Sequence, residues 1–298
     1  MAQKKIIDVL KTGRILVSDG AWGTFLYQKG LKPGDCPEQW CITHYDELID
    51  IAKRYIDAGA DMVKTNSFGG THLKLEHYSL GDKAAEINEA AARASKEAAG
   101  ADKWVIASAG PCGKMLVTEE VTEHELYNAF CQQAAALEKG GADAVCIETM
   151  SDIEEASLAI RAVKENTKLE VICTFTFEKT VRGDYRTMMG ISPADAAKAC
   201  VKAGADIIGT NCGNGIERMI DIVKEIKTAA PDSFILVHSN AGLPVNIGGK
   251  LVYPDTPQDM ANLVPELIKA GANIIGGCCG TTPEHIKAIS DAVSSFRF

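Results

Sequence analysis

The chain has 298 residues, 46% of them hydrophobic, and a formal net charge of -9, enough for a full core in one or two domains. The acidity argues against nucleic acid or an anionic membrane as the main partner, and no apolar run approaches the ~20 residues of a membrane span. The opening, Met1–Asp8, is charged and lacks the apolar stretch of a secretory signal, so a cytoplasmic location is expected.

Short apolar runs and helical patterns then alternate. Ile15–Ser18 is the first expected strand, followed by an irregular stretch at 20–45 and a helix over 46–58. The segment Ala58-Gly59-Ala60-Asp61-Met62-Val63-Lys64-Thr65-Asn66 ends that helix, turns on glycine and enters a strand buried on both faces. Next come a helix over 82–99, a strand at Val105–Ala109 and a helix over 122–139, opened by Thr122 with Glu125 three residues on. The same Gly-Ala-Asp pattern returns at Gly140–Thr149, before a helix over 152–165, a strand at Leu169–Thr176 and an irregular stretch at 177–191. A helix over 192–203, begun by Ser192-Pro193, leads to a third copy at Ala203–Cys212. After a helix over 216–229, a strand at Phe234–Ser239, an irregular 240–256 and a helix over 257–270, the fourth copy is Ala270–Cys279. Thr282-Pro283 opens the last helix, 283–294.

Eight such alternations across about 250 residues or more predict an α/β fold, a (β/α)8 TIM barrel occupying 1–298 as a single domain. A doubly wound open sheet competes, but it separates the first and eighth strands that a barrel brings together. The three irregular stretches follow strands, on the side where barrel enzymes build their sites.

If the repeats are equivalent strands, Cys212, Cys278 and Cys279 emerge at one mouth. Three thiols among glycines read as a zinc site with one ligand position open. Such a site lets a substrate thiol ionise near neutral pH, against about 8.5 for a free thiol, and its sulfur donors keep that thiolate nucleophilic. It suits alkylation at sulfur. The plainer readings of Cys278-Cys279 are two small buried residues or a vicinal disulfide. The chain carries ten cysteines but no export signal, so disulfide staples are not expected. Cys146, Cys173 and Cys200 lie in apolar runs as core residues, and Cys36, Cys41, Cys112 and Cys131 have no spacing partner.

Asp19 and Glu148 are strand-end carboxylates suited to a cationic amino group, and the turn Gly20-Ala21-Trp22-Gly23 offers backbone N–H groups to a carboxylate. Asp19 is equally readable as a turn residue, and Glu148 as a helix cap with Ser151-Asp152. His44, His238 and His285 are weaker metal candidates. Lys64 at the end of the second strand supports a different class, a Schiff-base aldolase or isomerase. A non-catalytic zinc or redox-sensing protein is a third.

Asp19–Thr24, Thr65-Asn66-Ser67-Phe68, Asn211-Cys212-Gly213, Ser239–Pro244 and Gly276–His285 resemble, in order, the homocysteine S-methyltransferase family. The likeness runs over essentially the whole chain, and Asn240-Ala241-Gly242-Leu243-Pro244 is most similar to the homocysteine module of cobalamin-dependent methionine synthase. The resemblance implies a zinc ion (Zn2+) held by Cys212, Cys278 and Cys279, with Asp19 and Glu148 receiving the homocysteine amino group. It further implies that backbone around Gly20, Ala21, Trp22 and Gly23 receives the carboxylate, and that Thr65, Asn66 and Asn211 line the pocket. The implied reaction is methyl transfer to a zinc-bound homocysteine thiolate, giving methionine. The donor is methylcobalamin on a separate corrinoid protein, a sulfonium or a betaine; transfer to or from another thiol or thioether is the runner-up. Two residues depart from the pattern. Trp22 stands where a smaller or more flexible residue is common, and Lys64 where acidic or neutral ones are.

Overall fold

The Asp or Asn of each repeat makes the same pair of hydrogen bonds. Asp61, Asp143, Asp206 and Asn273 each donate a backbone N–H to the carbonyl of Val17, Val105, Val171 and Ile235 in turn. Their side chains accept the N–H of those same four residues at 2.7–3.0 Å. Each repeat thus ties an even-numbered strand to the odd-numbered one before it. Lys96 and Lys164 pair with Asp143 and Asp206, and Arg14 with Asp61.

The computed structural model describes residues 4–297. Its strands are β1 (Leu16–Val17), β2 (Met62–Lys64), β3 (Trp104–Ala109), β4 (Ala144–Met150), β5 (Glu170–Phe175), β6 (Ile207–Gly215), β7 (Phe234–Asn240) and β8 (Ile274–Gly277). All pair in parallel with their chain neighbours. β1 pairs β8 through Leu16↔Ile274 and Val17↔Ile275, and a bridge Ser18↔Met62 joins β1 to β2. The sheet therefore closes as a (β/α)8 barrel, in a single domain, and the open-sheet alternative is excluded.

The eight helices that alternate with the strands are α1 (Tyr45–Asp57), α2 (Ala84–Ala99), α3 (Glu123–Lys139), α4 (Ile153–Asn166), α5 (Pro193–Ala203), α6 (Ile216–Ala229), α7 (Pro257–Ala270) and α8 (Pro283–Ser295). Every one starts and ends within two residues of its expected bounds. Thr122 and Glu125 form the expected capping box, and Ser192 accepts the Asp195 N–H. No helix among the described residues is long and apolar enough to cross a membrane.

Packing separates the two ends of the barrel. At the amino end, Ile6 and Leu10 of a short helix, Ile6–Leu10, join Leu16, Met62, Trp104, Ile172, Leu236 and Ile274 in one apolar cluster. Glu170 accepts the N–H groups of Ile6 and Ile7 and fixes this plug. The carboxyl end is built from the stretches read as irregular. They hold a helix at Gly23–Lys29 and two-stranded hairpins pairing Glu178–Lys179 with Tyr185–Arg186 and Val245–Ile247 with Lys250–Val252. Strands of two or three residues leave too little period for sequence to mark.

Candidate active site

Cys212 does not lie past the end of its strand, as expected, but inside β6. The register shifts between Asn211 and Gly215, and Cys212 and Gly213 take left-handed φ of 57° and 72°. Thr149 in β4 is its counterpart, at φ 63° within a shift between Ile147 and Met150. Left-handed backbone is costly for residues other than glycine. One buried side chain, that of the residue before Cys212, holds Thr149. Asn211 Oδ1 accepts the Thr149 N–H and the Thr174 hydroxyl, and its Nδ2 donates to Thr149 Oγ1, all at 2.7 Å.

Cys278 and Cys279 follow β8 in a turn anchored on two sides. Cys278 N–H donates to Ser239 O at 2.7 Å, and Ala241 N–H to Cys279 O at 3.0 Å. Thr281 Oγ1 donates to Cys278 O at 2.7 Å and accepts the Ala21 N–H at 3.1 Å. Gly280 sits at φ 82°, and a β-carbon there would lie 2.3 Å from the ring of Tyr253.

These constraints bring the three sulfurs within 4.8 Å of one another, with Cys212 and Cys279 at 3.9 Å. A tetrahedral zinc with Zn–S bonds near 2.3 Å places its sulfurs about 3.8 Å apart, so the donor set fits that ion. Hydrogen bonds from Cys212 and Cys278 pull the Cys279 thiol well below its ordinary value, with help from Tyr253 and Lys64. Cys278 is pushed up in exchange. A cluster that already favours one thiolate suits a soft divalent cation. All ten cysteines are free thiols, and Cys146, Cys173 and Cys200 are buried in the core as expected.

The cysteines form one wall of a cavity of about 300 Å³. Ala21, Trp22, Gly23, Thr65, Asn66 and Glu148 line it, together with Lys64, Ser108 and Phe68. Asp19, Gly20 and Asn211 stand behind this lining. Asp19 is fully buried, and burial raises its carboxyl to about 6 despite the opposing Lys64 and the Trp22 indole N–H. Thr65 Oγ1 accepts the Ser108 N–H, and Asn66 Nδ2 donates to Pro37 O, so both also hold neighbouring loops in place. Glu148 does not cap a helix; Asp152 caps α4, and Glu148 points inward to Ser108 and Lys64.

Burial alone would lower the Lys64 ammonium, but Glu148 and Asp19 outweigh it and hold the group protonated. Schiff-base chemistry needs the opposite, a free amine. The histidines stay apart from the sulfurs: His44 stacks on Trp40, His285 caps α8, and His238 is fully buried with both ring nitrogens unpartnered.

Sequence reasoning missed Ser108, which orients Glu148, and Tyr55, whose hydroxyl donates to Ala21 O at 2.7 Å. It also missed Tyr253 beside Cys279. None belongs to a recognisable motif. Only placement on a strand end (Ser108) or after a hairpin (Tyr253) links them to the mouth.

The model of the homocysteine S-methyltransferase family matches residues 16–293. Two curated relatives are the methionine synthases of Mycobacterium leprae (strain TN), 35% identical over 310 residues, and of Mycobacterium tuberculosis (strain ATCC 25618 / H37Rv), 33% identical over 313. The alignments cover 96% and 98% of this chain but only 25% and 26% of those proteins, so the chain spans about a quarter of their length. Among solved structures, the metallated form of the homocysteine methyltransferase MmuM from Escherichia coli superposes with a TM-score of 0.79 at 20% identity. That match covers 95% of this chain and 98% of the other, and it shows a shared fold. With the family's motifs at the barrel mouth and its model matched over nearly the whole length, the chain belongs to the homocysteine S-methyltransferase family.

Proposed function

We propose that this chain is a cytoplasmic zinc-dependent S-methyltransferase, with homocysteine to methionine as its reference reaction. The observation that carries the reading is the convergence of Cys212, Cys278 and Cys279 on one wall of a small cavity. These three would hold the zinc ion, which when bound lowers the pKa of an incoming thiol and keeps it ionised near neutral pH.

The chain's own residues do the rest. Trp22, Leu26 and Phe68 make the cavity apolar and limit water around the reacting sulfur. Glu148 is a carboxylate on the wall, as is Glu38, that can meet an acceptor's amino group, with Asp19 behind the lining. Within the turn, Trp22 and Gly23 present backbone to a carboxylate, and Thr65 and Asn66 close the side. The acceptor thiol loses its proton and a C–S bond forms. The methyl–donor bond breaks, and its electron pair leaves with the donor.

A methyl-corrinoid carried on a separate protein is the donor we favour. The likeness of Asn240–Pro244 to the homocysteine module of cobalamin-dependent methionine synthase supports it, as does an exposed apolar rim on the carboxyl-end loops: Met188, Ile247 and Leu251 are 80%, 62% and 67% exposed. The test is methionine formation by the zinc-loaded protein from homocysteine with methylcobalamin, S-methylmethionine or betaine, before and after chelation. Turnover with one donor, lost on chelation, is expected; no methylated thiol from any donor would overturn the proposal.

A further inference from the structure

The three carboxylates of the site already have partners within the chain; Glu38 on the wall accepts the Gly69 N–H at 2.7 Å and the Cys36 thiol at 3.4 Å. Asp19 Oδ2 accepts the Trp22 indole N–H and the Lys64 backbone N–H, each at 2.7 Å, and Ser18 Oγ donates to Oδ1 at 3.3 Å. The Trp22 side chain lines the cavity, whereas Asp19 reaches no part of it. Glu148 Oε1 accepts the Ser108 hydroxyl, and Oε2 faces Lys64 Nζ at 3.5 Å. An acceptor's ammonium entering here meets Lys64 already seated against Glu148, while Glu38, the other lining carboxylate, is engaged by Gly69 and Cys36.

Lys64 has capacity left over. An ammonium carries three N–H donors, and Glu148 is its one side-chain ion partner among the described residues. Its side chain is 7% exposed, it lines the cavity, and it is the single cationic side chain on the wall. A buried cation aimed into a small cavity is a seat for an anion. The same wall holds the cysteine cluster, so one small molecule can span both.

We infer that the preferred acceptor is an anionic thiol without an ammonium group, a mercaptocarboxylate or mercaptosulfonate, whose acidic end is seated by Lys64 while its sulfur meets Cys212, Cys278 and Cys279. The inference rests on the thiol-methylation reading and narrows its acceptor; the bonds formed and broken are unchanged.

The test compares homocysteine with 4-mercaptobutanoate, the same thiol without its amino group, by calorimetric titration into the zinc-loaded protein and by methylation rate. The wild type is expected to bind 4-mercaptobutanoate at least tenfold more tightly. Lys64→Met should reverse the order, because the homocysteine ammonium then replaces lysine at Glu148. That variant leaves a buried carboxylate unpaired and is at risk of misfolding, so Lys64→Met/Glu148→Gln serves as a second variant, in which the two thiols should bind within about threefold. Tighter wild-type binding of homocysteine, or a preference unmoved in the folded variants, overturns the inference and leaves thiol methylation standing. Binding of neither thiol would sink the thiol-acceptor reading itself, and the inference with it.

Discussion

At the amino end of the barrel the four repeats do one thing four times; at the carboxyl end they do four different things. Asp61, Asp143, Asp206 and Asn273 make the same reciprocal bonds to the preceding strand. Five residues further on, the equivalent positions hold Asn66, Glu148, Asn211 and Cys278. These are a loop anchor, a charged wall, a hidden clip and a metal-ligand candidate. The shared part supplies a stable frame, and divergence at its open end supplies chemistry without disturbing that frame.

This division predicts that each end can be damaged alone. The largest effect belongs to Cys279→Ala, which should abolish stoichiometric zinc and lower methyl transfer by about 10³-fold or more, while the melting temperature changes little. Metal analysis, rates and thermal unfolding on one sample check this; a collapsed fold would show that the thiols are structural. Asn211→Ala is next. Freed from its clip, the left-handed backbone at Thr149 and Cys212 should relax, weakening zinc affinity about 10–100-fold, as read by competition with a chelator.

The converse break is Asp206→Ala. It removes the acceptor for the buried Val171 N–H and the partner of Lys164, and should cost about 2–3 kcal/mol of stability with zinc stoichiometry unchanged. Urea unfolding with metal analysis tests it; loss of zinc at full stability would blur the two ends. The smallest effect is a pH dependence at Asp19. Its folded-state carboxyl near 6 lies above the unfolded value near 3.8, so the folded chain holds a proton that the unfolded chain has released. Its contribution to stability therefore falls as pH rises from about 4 to 6 and is level above. Relative to wild type, Asp19→Asn should gain about 2 kcal/mol between pH 4 and pH 7, measured from urea midpoints at both.

Much of the frame was legible because its signals are local. Gly-Ala-Asp turns, continuous apolar strands and capping pairs such as Thr122 with Glu125 each specify structure within a few residues. The convergence of the cysteines was legible for a related reason, since Cys212 and Cys278-Cys279 occupy matching places in two copies of one repeat. What escaped depends on partners far apart in the chain. The Glu170 carboxylate that seats Ile6, the Ser108 hydroxyl on Glu148 and the Lys64–Glu148 pair join residues more than 39 positions apart. Asn211 looked like a pocket residue because it precedes Cys212. Its amide is instead spent on Thr149 and Thr174 within the buried interior, at the bulge in β6.

The most direct test of the central claim is X-ray absorption at the zinc edge of the purified protein, with and without an acceptor thiol. Three sulfur neighbours and one lighter atom at about 2.0–2.3 Å, becoming four sulfurs when the thiol is added, are the expected result. Absence of stoichiometric zinc, or a shell that the thiol does not change, would contradict it.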